Sequence, residues 1–215
     1  MSRDRNPFER TLDLLRRRLR AGAFGHGQPL PILTLAEDLA VSATPIREAL
    51  ARLAGEGLID RAANGYVTLR HDVGGVSDLY HLDEVYALAA LTAVRHPLAK
   101  PSAAIDRGFD EDGYLARTEA MLARLGGAQN RALWAARCGL WDRLAPFRRT
   151  EARVLDGLDG ELTALEEAEP INIRATDLRA YYRRRMRAAA AILAAATSCN
   201  INQIYLEYTS VTSSR

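Results

Sequence analysis

Residues 35–70 read LAEDLAVSATPIREALARLAGEGLIDRAANGYVTLR, and the order of the signals within them decides the fold. Thr34, one residue ahead, is placed to cap a short helix carrying Leu35, Ala36 and Leu39, which Val41-Ser42 interrupts. Thr44 can then cap a further helix with Pro45 at its first helical position, where a missing N–H costs nothing. Ile46, Ala49, Leu50 and Leu53 recur at helical spacing and make its inward stripe, leaving Thr44, Arg47, Glu48, Ala51 and Arg52 outward as far as about Glu56. Gly57 suits a left-handed C-cap. Leu58–Arg61 and Tyr66–Arg70 are β-prone runs joined by a turn at Ala63-Asn64-Gly65, a strong short-range hairpin signal.

Upstream, Phe8, Leu12, Leu15 and Leu19 fall on one helical face, with Arg16, Arg17, Arg18 and Arg20 filling most of the gaps. Gly22, Gly25 and Gly27, then Pro29 and Pro31, cannot continue that helix. Helix, short helix, tight turn, helix and hairpin, in that order, is the layout of a winged helix-turn-helix. In such a layout the N-terminal turn of the third helix meets base edges in the major groove. Arg47, one turn in and outward, has the planar fork that bonds the O6 and N7 acceptors of guanine. Ser42, Thr44 and the free N–H groups of the helix start suit phosphate oxygens, and Arg52 faces outward further along the same helix. In the wing, Arg61, Asn64 and Gly65 are placed to follow the backbone or reach the minor groove. Taken singly, each has an ordinary explanation, since an outward arginine is usually solvated and Asn-Gly is usually only a turn. The element order tips the reading toward double-stranded DNA.

The same run, with its glycine-turn wing, resembles the DNA-binding signature of the GntR family of regulators over residues 8–70, about a third of the chain. The resemblance implies that Thr44, Arg47 and the Asn64-Gly65 wing touch operator DNA. There is one departure: family members commonly carry a second arginine just before the threonine, where this chain has Ala43. Losing such a contact costs about 1–3 kcal/mol of affinity or discrimination. This supports an alternative, a winged-helix interaction module that has lost specific DNA binding.

Beyond Asp78 the pattern is helical almost throughout. Leu79, Leu82, Tyr86 and Ala89 make one stripe, ending near His96-Pro97; a loop runs through Lys100 to Asp110-Glu111-Asp112, and a second helix spans about Tyr114 to Leu125. Trp134, Cys138, Trp141, Leu144 and Phe147 share a third, broken or kinked at Pro146. Val154, Leu155 and Leu158 follow, and Leu178, Tyr181, Tyr182, Ile192 and Leu193 mark a last long helix. The fold class expected is therefore mainly α: a winged helix-turn-helix (1–70) of three helices and a β-hairpin, a linker (71–77), an all-α bundle (78–198) and a polar tail (199–215), with Ile204–Leu206 the only further strand candidate.

An all-α part behind a GntR-like head is similar to the FCD-type subgroup, with DLYHLDEVYALAALTA (78–93) and NRALWAARCGLWDRL (130–144) standing for its first and middle helices. That resemblance implies a homodimer and a pocket for small carboxylates, in many members built on a metal held by one Asp and three His. Here His26, His71, His81 and His96 all lie within the first 96 residues, and the ligand positions fall near Arg117, Met121, Ala152 and the Tyr181–Arg185 stretch. Arginine and methionine do not replace oxygen and imidazole ligands, so no metal and no cofactor is expected. An anionic effector would need arginine forks pointing inward, and Arg95, Arg137 and Arg148 are the candidates. Spacing alone does not show which of them do.

Composition excludes several classes. No apolar stretch approaches the roughly 18 residues of a membrane helix, and MSRDRNPFER has no hydrophobic signal core, so a cytoplasmic, non-membrane protein is expected. Cys138 and Cys199 are too few for a disulfide framework or thiolate metal site. Charge divides as +3 over residues 1–70 and −1 over the rest, the sign a nucleic-acid-binding head needs. No nucleophile motif, phosphate loop or metal spacing suggests an enzyme, and the Asp110–Asp112 acids read as a solvated loop.

Overall fold

The computed structural model describes residues 6–95, 113–125, 131–168 and 172–198. These fall into two compact units, one through His71 and one from Asp72 to Ala195. The chain is mainly helical, with an N-terminal winged helix-turn-helix and a two-stranded antiparallel sheet, followed by helices only.

In the first unit, α1 (Pro7–Arg20) starts at Asn6, whose side chain accepts the Phe8 N–H at 3.2 Å. α2 (Ile32–Asp38) and α3 (Ala43–Gly55) pack with α1 around Leu12, Leu15, Leu35, Ile46, Ala49, Leu50, Leu53 and Ile59. The inward stripe expected for α3 is the buried one, with Ile46, Ala49 and Leu53 at 0% exposure. Two caps differ from expectation. α2 begins at Ile32, because Pro31 presets the entry angle at φ −68°, so Thr34 lies inside the helix. α3 begins at Ala43 behind an extended Ser42, and no side chain caps it; Thr44 and Pro45 are inside its first turn.

The α2–α3 turn passes through Ala40 at φ +50°, in the left-handed region that side chains avoid. Val41 N–H bonded to Ala36 at 3.0 Å closes this turn. At the other end of α3, Gly57 sits at φ +70° and Leu58 N–H reaches back to Leu53 at 3.0 Å, the two marks of a Schellman cap. β1 (Ile59–Ala62) pairs with β2 (Gly65–Thr68), Ile59 opposite Thr68 and Arg61 opposite Tyr66. Gly65 therefore belongs to the strand, at φ +131°, and the turn proper is Ala63-Asn64. Gln28 and Leu30 bond to the far edge of β2, and the buried Thr68 hydroxyl accepts the Gln28 N–H at 2.8 Å.

In the second unit, α4 (Val73–Arg95) starts at Asp72, whose carboxylate accepts the Gly75 N–H at 2.7 Å. Residues 73–77, read from sequence as part of a linker, are thus helical. α5 (Gly113–Arg124), α6 (Arg131–Glu151), α7 (Leu158–Glu167), α8 (Ala175–Arg187) and a further helix, α9 (189–198), follow. α6 runs through Pro146 without a break, and α7 had no counterpart in the sequence reading. The expected last long helix divides at Ala188, whose N–H is shared between the Arg184 and Arg185 carbonyls.

The α4 stripe also needs correction. Val76, Leu79, Tyr80, Asp83, Ala87 and Leu91 face the core, whereas Leu82 is 39% and Val85 48% exposed. A buried carboxylate rotates the helix away from its most apolar face, for the reason given below. The Asp110–Asp112 loop, His96, the tail and Ile204–Leu206 lie outside the described residues.

Candidate functional site

The outward side of α3 and the wing make the first site. Arg47 is exposed on the first turn of α3 and, among the described residues, has neither ion pair nor hydrogen bond. Its core neighbours Ile46, Ala49 and Leu50 lock the helix while the guanidinium stays available. Ser42 and Thr44 are exposed at the same end, where the first N–H groups of α3 lack helical partners and no side chain caps them. Arg52 is engaged instead: its Nε donates to Glu56 at 2.7 Å, and Glu56 also takes Arg16 Nη2 from α1 at 2.7 Å. In the wing, Asn64 is exposed at the turn, and the Arg61 guanidinium lies 6.0 Å from the centre of its cross-strand partner, the Tyr66 ring. That spacing is at the outer limit of a cation–π contact.

The second site is inside the helical unit. Arg137 and Arg148, ordinary surface residues by type, are 1% and 0% exposed. Both reach Asp83, itself 0% exposed: Arg148 Nη2 donates to Oδ2, and Arg137 Nε stands 3.6 Å from Oδ1. Trp141 Nε1 donates to Oδ1 at 3.0 Å and the Tyr182 hydroxyl to Oδ2 at 2.7 Å. Burial alone would push the Asp83 carboxyl up, but Arg148 and Arg137 outweigh it and hold the carboxyl below its usual range. Burial likewise opposes the Arg148 charge, and Asp83 beside it keeps that guanidinium protonated. Asp83 thus buries itself by bringing its partners, which is why α4 does not turn its most apolar face inward.

A second buried carboxylate, Glu151, lies one turn past Arg148 on α6. It accepts Tyr80 and Tyr114 hydroxyls at 2.7 Å each and Arg185 Nε at 2.9 Å. Arg185 spends its remaining nitrogens on the Tyr181 carbonyl, the Tyr114 hydroxyl and Glu161, and stacks 3.4 Å from the Tyr181 ring centre. None of these residues except Arg137 and Arg148 was singled out from sequence as a pocket candidate, because a buried carboxylate is invisible to hydrophobic periodicity. The Arg95 side chain lies outside the described residues.

Where metal ligands would fall, Arg117 pairs with Glu166 at 2.7 Å and Asp159 at 3.0 Å, and Met121 is packed at 1% exposure. Among the described residues no group of three or more His, Cys, Asp or Glu could hold a metal ion. No helix of the described residues is long and apolar enough to cross a membrane.

Residues 7–68 match the profile of bacterial regulatory proteins, gntR family. No curated protein sequence matches the chain. Among solved structures, a Rhodococcus sp. RHA1 protein assigned as a GntR transcriptional regulator is 18% identical over 92% of this chain and 97% of that one, at a TM-score of 0.50. E. coli McbR/YncC is 18% identical over 95% of this chain and 99% of its own, at a TM-score of 0.46. At these identities the likeness is one of fold.

Proposed function

Since residues 7–68 are a GntR-family winged helix-turn-helix domain, we propose that the chain is a cytoplasmic transcriptional regulator, a repressor, that binds operator DNA as a homodimer. The observation that carries this is Arg47, exposed and unpaired on the first turn of α3, inside the segment that matches the family. A fork left free at that position reads guanine, while Ser42, Thr44 and the uncapped N–H groups take phosphate and the Asn64-Gly65 wing supports from the side. Two such heads on a two-fold axis read a palindrome. The helical unit, as an FCD-type domain, supplies the dimer contact and senses a small carboxylate without metal, through Arg137 and Arg148 and with Arg95 as a further candidate. Buried, unpaired guanidinium N–H groups support that last role.

The test is footprinting on DNA flanking the chain's own gene, comparing wild type with Arg47→Ala. A protected palindrome in wild type that Arg47→Ala loses supports the reading. Protection that survives the substitution removes Arg47 from the reading head. Absence of any wild-type protection at low salt favours the alternative, a protein-interaction module, for which Ala43 in place of a second arginine is the supporting observation.

A further inference from the structure

The two buried carboxylates of the helical unit are finished differently. At Glu151 every Arg185 nitrogen has a partner, so that end of the network is closed. At Asp83 the ion pairs of two buried arginines run to a single carboxylate. Arg137 Nε and Nη2 and Arg148 Nε and Nη1 are buried with no hydrogen-bond partner among the described residues, as is Trp134 Nε1. Arg137 is not idle, since its Nη1 donates to the Leu122 carbonyl at 3.1 Å, which fixes the guanidinium between α5 and α6. Trp134, Arg137, Trp141 and Arg148 share one buried face of α6, and the Trp141 ring lies 4.8 Å from the Arg137 guanidinium and 5.8 Å from that of Arg148. The other buried acids, Glu119 and Asp142, have partners of their own.

Two guanidinium ions against one carboxylate leave a single positive charge, and a buried charge with unused donors calls for an anion of matching size. We propose that this cluster is a site for a ligand bearing one carboxylate, in which Asp83 serves as a built-in counter-ion that sets the accepted ligand charge at one. A second negative charge on the ligand would face Asp83 unpaired in a water-poor setting and is rejected. Asp83 is thus the specificity-determining residue, and the aromatic walls of Trp134 and Trp141 suit a flat or apolar remainder. The inference rests on the reading of the helical unit as an anion sensor.

The experiment uses the full chain and matched probes: benzoate against phthalate and propionate against succinate, titrated calorimetrically at pH 7 with a chelator present. Binding of the monocarboxylate at least about 10-fold tighter than its dianionic match, one 1.4 kcal/mol step in affinity, supports the proposal. Tighter binding of phthalate or succinate overturns charge selection and leaves the anion-sensor reading standing; binding of none of the four overturns both. Two variants separate selection from folding. Arg137→Met leaves a neutral Asp83–Arg148 pair, so benzoate binding is lost with the unliganded melting temperature unchanged or raised; benzoate binding that persists in it overturns the role of the excess charge. Asp83→Asn leaves two uncompensated guanidinium ions and shifts preference to phthalate; unchanged benzoate preference in a folded Asp83→Asn protein overturns the counter-ion role, and if that variant does not fold the wild-type probe pairs decide.

Discussion

At the residue scale, the head depends on a few positions whose replacement has a calculable sign. Arg47 is the only arginine at the start of α3, because Ala43 stands where a second is common, so nothing nearby compensates for its loss. Arg47→Ala should weaken operator binding by about 1–3 kcal/mol, roughly 5- to 150-fold, while leaving affinity for unrelated DNA nearly unchanged; fluorescence anisotropy on both duplexes reads the difference. Ala40 carries the opposite kind of signal. Its φ of +50° stores strain of about 1–2 kcal/mol that glycine would not, against about 1 kcal/mol of extra chain entropy in the unfolded state. Ala40→Gly should therefore stabilise the head slightly, by up to about 1 kcal/mol, seen as a higher denaturation midpoint at constant slope.

At the element scale, α1 is tied to the end of α3 by Glu56, which holds Arg16 and Arg52 at once. The pairs are part-exposed, so their stabilising value is about 0.2–1 kcal/mol and screened by salt. The greater effect of Glu56→Gln is on Arg52, which loses its partner and becomes available to phosphate. The salt dependence of DNA binding should steepen by about 0.9 in log-log slope for one added contact, measured between 50 and 200 mM salt. An unchanged slope would take Arg52 out of the interface. Along α4 the same reasoning explains the failed stripe: period-3.6 patterning locates Leu79, Ala87 and Leu91 by their type, but Asp83 is interior only because α6 and α8 present Arg148, Trp141 and Tyr182 to it.

At the scale of the whole molecule, both tryptophans, Trp134 and Trp141, lie in the helical unit, so indole fluorescence reports its unfolding alone. The folded Asp83 carboxyl is held below its usual value, whereas in the unfolded chain it titrates near 3.9. A depressed folded pKa means that the unfolded state binds the extra proton first, so the stabilisation is complete above about pH 4–5 and is lost as pH falls below the unfolded value. The fluorescence-detected transition should weaken steeply below about pH 4, and that acid sensitivity should shrink in Asp83→Asn. Sedimentation at micromolar concentration tests the homodimer, for which a purely monomeric species would be the contrary result.

The sequence by itself determined the head: spacing of Leu12, Leu15, Ile46, Leu50 and Leu53, the glycines at 57 and 65, and the exposed position of Arg47 are local properties, legible because helix period, cap and turn chemistry act over a few residues. Local signals failed where a neighbour offered an equivalent solution, as when Pro31 and Ser42 began helices assigned to Thr34 and Thr44. Tertiary structure alone decided that Arg137, Arg148 and Arg185 are interior and that Asp83 and Glu151 receive them. The physical reason is that a charge enters a core only when its partners arrive from other helices, 65 residues away for Arg148 and 99 for Tyr182, and no pattern within one helix records that meeting.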